Sequence, residues 1–234
     1  MSTVLFWNQV KANMLKLFII KITRDLLQNE YEQLAYSVTD DKRSSIKRYH
    51  FYIDAQRSLL GDTLTRYAIC KEFNLLNNQL SFMVNKYGKP ALLNSNIEYN
   101  ISHAGQFVVC ALNDKGPVGV DVELVKNSCL DLAKRFFTEN EYRYLLSQLV
   151  ENQSEYFCQL WTMKESYIKM VGKGLSIPLN SFNVLDPASV GNVYFRHFLR
   201  NKEIIGTVCS WNMEPVYYEY CSYSDLLSWS MMNN

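Results

Sequence analysis

Apolar and polar positions alternate along this chain in blocks of two different periods. The first apolar run, MLKLFIIKI, predicts a strand over about residues 15–22; a lysine interrupts each end and no small-residue cleavage site follows, unlike a signal peptide. SVTDDKRSSIKRYH predicts a short basic helix with Asp40 as its cap, the side chain accepting from the free N–H groups of the first turn. Asp54 is the expected cap of a longer helix, on which Leu60, Leu64, Tyr67 and Ala68 form an apolar stripe at i, i+4, i+7 and i+8. NKYGKP is a turn by its Gly88 and Pro90. Beyond it Ile97, Tyr99 and Ile101 alternate with Glu98, Asn100 and Ser102, the run QFVVCAL is continuously apolar, and NDKGP turns the chain into GVDVELV. This middle section predicts a small sheet.

The second half opens on helices. Thr138 with Glu141 three positions on is a capping box for ENEYRYLLSQLV, preceded by the amphipathic LDLAKRFF. SEYFCQLWTMKESYIKMV predicts a stronger helix that stops at Gly172, and Pro178 prevents its resumption. From about Phe182 to Met213 the pattern is of short strands with Gly and Asn breaks. The order strand, helices, strands occurs twice, with neither a linker nor low-complexity sequence between.

A chain of 234 residues is long enough for one large domain or two closely packed halves. With 24 basic and 23 acidic side chains it has no global field to recruit nucleic acid or an anionic membrane, so anion binding must come from local clusters. No stretch approaches the roughly 18 apolar residues of a membrane span. Cys70, Cys110, Cys129, Cys158, Cys209 and Cys221 stand far apart without a CxxC pair, a pattern of buried reduced thiols that predicts a cytosolic protein.

Within GVDVELV, Val118, Val120 and Val122 share one face of the strand, while Gly119, Asp121 and Glu123 share the other. The two acids then lie about 7 Å apart along the strand. They fit either an edge strand with a wetted outer face or a site that needs two carboxylates. On the Gly172-terminated helix, Trp161, Glu165 and Lys169 follow at i, i+4 steps on one face, with Lys164 beside it. Glu165 and Lys169 are either a surface ion pair or part of a site. A third carboxylate near Asp121 and Glu123 would complete a hard oxygen site suited to Mg²⁺. His103 and Ser102 at a strand end can each donate to a phosphate, and Lys42, Arg43, Lys47, Arg48, Arg57, Lys89, Lys164, Lys169 and Lys173 supply cations. Lys89 is presented by a turn that Gly88 and Pro90 fix.

Taken together, YGKP, YNISHAGQFVVCAL, GVDVE and WTMKESYIKMVGKGLSIPLNSF closely resemble the surfactin-synthetase-type 4′-phosphopantetheinyl transferases, and KRYHFYIDAQRSLLGD extends the likeness toward the front. It runs from about residue 15 to 227, and WxxKESxxK together with GVDVE in this order is a highly specific signal. The resemblance implies a pseudo-twofold α+β fold of two similar halves, 1–115 and 116–234, with the active site between them. Coenzyme A is then the substrate, Mg²⁺ the cofactor and an acyl or peptidyl carrier protein the acceptor, in a protein expected to be a cytoplasmic monomer. Asp121, Glu123 and Glu165 match the three metal-site acids. Lys42, Arg57, Ser58, Lys89, Ser102 and His103 fall where members contact the coenzyme's 3′-phosphate, adenine or pyrophosphate, and Lys164 and Lys169 match the lysines of the signature helix. Glu165, Lys169 and His103 are the implied catalytic residues, with Glu165 as base.

Ser45 and Gln56 stand where well-known members carry Lys and His, which predicts a rearranged grip on the coenzyme with Lys47 or Arg48 as substitutes. Members tend to begin at a sequence like MLKLF, so Met14 is an expected start and residues 1–13 an upstream extension. Phe136, Phe137, Tyr142 and Leu145 are either the carrier-docking surface or core. Two other functions fit the same residues: a non-catalytic carrier-binding module, and a metal-dependent hydrolase of coenzyme A or other nucleotide pyrophosphates.

Overall fold

The computed structural model describes residues 15–126, 130–211, 213 and 215–233; the Met14 start and residues 1–13 lie outside them. In chain order the elements are β1 (Leu15–Lys21), α1 (Gln28–Tyr36), α2 (Asp40–Ile46), α3 (Tyr52–Phe73), β2 (Phe82–Val84), β3 (Pro90–Leu92), β4 (Glu98–Ala104), β5 (Phe107–Asn113) and β6 (Val118–Leu124). Then follow α4 (Leu130–Phe136), α5 (Glu139–Leu146), α6 (Gln153–Val171), α7 (Pro187–Val190), β7 (Tyr194–Phe198), β8 (Ile204–Ser210), β9 (Val216–Cys221) and α8 (Tyr223–Asn233).

The molecule is an α+β pair of halves, each a small sheet crossed by one long helix. The first sheet has the order β4-β5-β1-β9, and α3 lies on it; the second has the order β6-β8-β7, and α6 lies on it. The strand periodicity explains how one strand serves two packings. Val118, Val120 and Val122 enter a core shared with Leu15, Leu17 and Ile19 of β1, joining the two sheets. Their neighbours Gly119, Asp121 and Glu123 face the other way, toward α6.

The two sheets meet at a seam between edge strands. Asn100 Oδ1 accepts from the Val120 amide at 2.9 Å and Ser102 Oγ from the Val122 amide at 3.2 Å. Side chains of β4 thus satisfy backbone donors that a strand edge would otherwise leave unpaired.

Several expectations change. Thr39, not Asp40, caps α2, its hydroxyl accepting from the Lys42 amide. Asp54 does not cap α3 either; it lies inside the first turn and pairs with Arg57 at 2.9 Å. The Thr138–Glu141 capping box and the left-handed Gly172 stop form as the sequence predicts. The end of the chain returns to the first half: β9 pairs in parallel with β1, and Gln33 of α1 donates to Ser230 Oγ of α8 at 2.7 Å. Cys70, Cys110, Cys158, Cys209 and Cys221 are buried and free of disulfides, while Cys129 lies outside the described residues. Among the described residues no helix is long and apolar enough to cross a membrane.

Candidate active site

A cleft of about 540 Å³ opens over the seam. Its first wall comes from α2, α3 and the turn between them, through Lys42, Tyr49, Arg57, Ser58, Gly61 and Asp62. Ile101, Ser102 and His103 of β4 form the floor. Asp121 and Glu123 of β6 and Trp161, Glu165 and Lys169 of α6 close the opposite side. The α6 face expected from the i, i+4 spacing is therefore the face turned to the cleft.

The close approach of α6 to β6 is set by Gly119. A Cβ there would overlap the Ser166 carbonyl oxygen and lie 2.6 Å from the Met170 amide nitrogen. Only a residue without a side chain lets the strand lie this near the helix backbone. That contact brings the strand acids and the helix acid to one place.

Asp121 is the centre of the polar network. Its Oδ1 accepts from Lys169 Nζ at 2.6 Å and from Ser102 Oγ at 3.0 Å, and Lys169 Nζ also reaches Ser102 Oγ at 3.1 Å. Its Oδ2 is buried and, among the described residues, has no hydrogen-bond partner. A buried carboxylate oxygen left in this way is costly unless something positive meets it. Burial raises the Glu165 carboxyl above its usual range, and the neighbouring Asp121 charge adds to that, with Lys169 opposing. Glu123 is raised by burial and then by Asp121, with Lys126 and Lys169 opposing and Glu165 reinforcing. The three acids feel one another's charge although, among the described residues, they do not form a preassembled ligand cluster. His103 is pushed down by the desolvation of its surroundings and by Arg57 and Lys169, so its imidazole is neutral near pH 7.

Two predicted site residues lie elsewhere. Lys164 is fully buried on the far side of α6, where its ammonium meets both carboxylate oxygens of Glu141 at 2.7 Å and the Phe182 carbonyl oxygen at 2.6 Å. All three N–H donors are used, leaving none for a phosphate. Lys89 is not among the residues lining the cleft; it donates to the Met170 carbonyl oxygen at 3.1 Å and pairs with Glu98 at 3.4 Å, and Asn85 in the same hairpin donates to the Gly172 carbonyl at 2.8 Å. The hairpin thus fastens the first half to the end of α6.

The expected departures also take new meaning. Gln56 is fully buried and is not a cleft residue: it accepts from the Leu26 amide at 2.9 Å and donates to the Arg24 carbonyl at 3.1 Å. Ser45, Lys47 and Arg48 are not on the cleft wall among the described residues. Arg57 is on it, but its Nε and one terminal nitrogen already hold the Gly105 carbonyl, at 3.0 and 2.6 Å.

Phe137 and Leu145 are core, because the apolar face of α5 turns inward onto α6, while Phe136 and Tyr142 pack against the same cluster and stay half-buried at its edge. The residues missed by sequence reasoning are Tyr49, Gly61 and Asp62. Their signal was available in outline, since Ser58 and Asp62 stand at i, i+4 on one helix face.

The profile of the 4′-phosphopantetheinyl transferase superfamily matches residues 117–211, and that of the 4′-phosphopantetheinyl transferase N-terminal region matches residues 25–115. The 4′-phosphopantetheinyl transferase Sfp of Bacillus subtilis (strain 168) is 42% identical over 171 residues, 73% of this chain and 76% of that protein. The chain belongs to the 4′-phosphopantetheinyl transferase family. The 4′-phosphopantetheinyl transferase gsp of Aneurinibacillus migulanus is 39% identical over 169 residues, 72% of this chain and 70% of its own. A human L-aminoadipate-semialdehyde dehydrogenase-phosphopantetheinyl transferase is 29% identical over 188 residues, covering 71% and 60% of the two chains. The two profiles meet at the turn before β6, so the seam of the fold is also the join between them.

Proposed function

We propose that this transferase moves the 4′-phosphopantetheine group of coenzyme A to a serine of an apo acyl or peptidyl carrier protein, releasing 3′,5′-ADP. The observation that carries the residue assignment is the orphaned Asp121 Oδ2 beside two carboxylates whose ionisation the site disfavours. Oxygen donors in that state fit a hard divalent cation. Asp121, Glu123 and Glu165 would hold Mg²⁺, which when bound supplies positive charge to the pyrophosphate oxygens.

The chain's own groups then divide the work. Lys42, Arg57 and Ser58 take the phosphoadenosine end of the coenzyme, and Ser102 and His103 the pyrophosphate. Glu165 accepts the proton of the serine hydroxyl as that oxygen bonds to the β-phosphorus; its raised basicity suits a base working near neutral pH. The bond from the β-phosphorus to the bridging oxygen breaks, and Lys169 and His103 stabilise the charge left on the departing 3′,5′-ADP. The carrier approaches over the groove beside the cleft, where Leu124 and Leu132 are exposed next to Lys126 and share a wall with Glu123 and Trp161. Exposed Lys134 and Arg135 on α4 add positive charge for an acidic carrier helix.

Intact mass spectrometry of an apo carrier protein incubated with this protein, coenzyme A and Mg²⁺ tests the proposal. A gain of one phosphopantetheine that disappears with EDTA is expected. Free phosphopantetheine without a modified carrier would instead identify a hydrolase, and bound coenzyme A with no reaction across several carriers would leave a carrier-binding module.

A linked prediction concerns stability. Because Glu123 and Glu165 are raised in the folded protein, their ionisation opposes folding: this contribution to stability is complete below the ordinary carboxylate range and falls away as pH rises through the raised values. Mg²⁺ is therefore expected to raise the melting temperature at pH 8 and to do so progressively less as protons compete for the same oxygens at lower pH. A melting temperature indifferent to Mg²⁺ at every pH would remove these acids from the metal site.

A further inference from the structure

The most deeply buried ion pair among the described residues lies outside the cleft. Lys164 and Glu141 are both fully buried, and each has a complete set of partners. Beyond Lys164, Glu141 accepts from the Thr138 amide through Oε2 and from the Val184 amide through Oε1, each at 2.8 Å. Lys164 also holds the Phe182 carbonyl oxygen, and its ammonium sits 4.3 Å from the centre of the Phe182 ring. One closed network thus ties the start of α5, the middle of α6 and the segment 182–184.

Its place relative to Glu165 gives it a further meaning. Lys164 precedes Glu165 and is anchored to α5; Ser166 follows it, and its carbonyl is pressed against Gly119 of β6. The residues on either side of the proposed base are fixed to opposite walls. Any roll of α6 that moved Glu165 relative to Asp121 would have to break the pair or open the β6 contact. Stability alone does not call for such a pair, because apolar residues of similar size often replace buried ion pairs at no cost.

We infer that the Lys164–Glu141 pair is a positioning device that fixes the roll of α6 and so aims Glu165 at the reacting centre. The inference rests on the proposed role of Glu165. Lys164 is then a positioning residue, without contact to coenzyme or carrier.

The test is the double variant Lys164→Met/Glu141→Gln, which removes both charges together and so avoids the unfolding that an uncompensated buried charge would cause in a single variant. It is compared with Glu165→Gln and with the unaltered protein in steady-state transfer to a carrier, thermal melting, and calorimetric titration with coenzyme A. The double variant is expected to fold with a cooperative transition, to bind coenzyme A within about two-fold of the unaltered protein, and to lose at least about ten-fold in kcat with little change in KM, as expected when a group acting only in the transition state is misaligned. Normal kcat in the folded double variant, with Glu165→Gln inactive, would overturn the positioning role and leave the base in place. A parallel loss of coenzyme affinity would overturn it too, by making Lys164 a binding residue. If Glu165→Gln itself turns over normally, it is the assignment of the base that fails. Should the double variant not fold, Glu141→Asp, which keeps both charges and shortens the acid by one methylene, gives the same comparison of kcat, KM and coenzyme affinity.

Discussion

Asp121→Ala is expected to reduce transfer by on the order of 10²- to 10³-fold or more while leaving the fold intact. The size of the effect follows from how many groups Asp121 organises. Its Oδ1 holds the Lys169 ammonium and the Ser102 hydroxyl, and its unpartnered Oδ2 lies beside Glu123 and Glu165. Without it, Lys169 loses its anchor and two proposed phosphate contacts loosen together, which makes the loss larger than that of a single hydrogen bond. The fold tolerates the change because Lys169 retains solvent access, its side chain 29% exposed, so the freed ammonium is not stranded in the core. Asp121→Asn separates charge from shape, since the amide oxygen can still accept from Lys169 and Ser102. Comparable losses in both variants, measured as kcat/KM with melting curves as the control for folding, place the requirement in the negative charge. Near-normal turnover in Asp121→Ala would remove Asp121 from the reacting centre, and near-normal turnover in Asp121→Asn alone would remove it as a metal ligand and leave it as an acceptor for Lys169 and Ser102.

Much of this arrangement could be read from the chain because two periodicities carry it. The period of two in GVDVELV separates the valines from Asp121 and Glu123, and i, i+4 spacing puts Trp161, Glu165 and Lys169 on one face; both facts follow from local geometry. Lys164 was misplaced for a reason local geometry cannot supply. It stands only about 100° around the helix from Glu165, and what decides its role is Glu141, a capping-box residue that would be solvated at most helix starts and here is buried under the segment 182–184. Gln56 is a similar case: position along the chain matches it to a coenzyme contact, whereas its partners are backbone groups of residues 24 and 26 and the Tyr223 hydroxyl, which close over it only in the folded state. The returns of β9 and α8 to the first half were hidden because a parallel pairing such as β9 with β1 leaves no hairpin signal between its strands. Phe137 and Leu145 show the limit of an amphipathic pattern, which identifies an apolar face but not whether a partner or the protein's own α6 covers it.

Gly119→Ala is expected to have the largest effect of any single-methyl addition in the molecule, on stability and activity together. The new Cβ would meet backbone atoms, the Ser166 carbonyl and the Met170 amide, which cannot rotate aside as the tip of a side chain can. Strand and helix must therefore separate. Overpacking of this kind costs about 3 kcal/mol or more, which for a chain of this length lowers the melting temperature by on the order of 10 °C. The same separation displaces Asp121 and Glu123 from Glu165 and Lys169, and misplacement on the scale of 1 Å carries about a 10²-fold loss in rate. Gly191→Ala supplies the comparison, since its backbone angle φ is also unfavourable to a side chain, at +72°, but nothing lies within 4 Å of an added Cβ. It is expected to lose about 1 kcal/mol of stability and no activity. If the residual activity of folded Gly119→Ala, assayed well below its melting temperature, equals that of Gly191→Ala, then the acids of β6 reach the reacting centre independently of the helix contact. A selective loss in Gly119→Ala ties catalysis to the approach of β6 and α6, and makes the missing side chain at residue 119 as much a part of the site as the carboxylates that follow it.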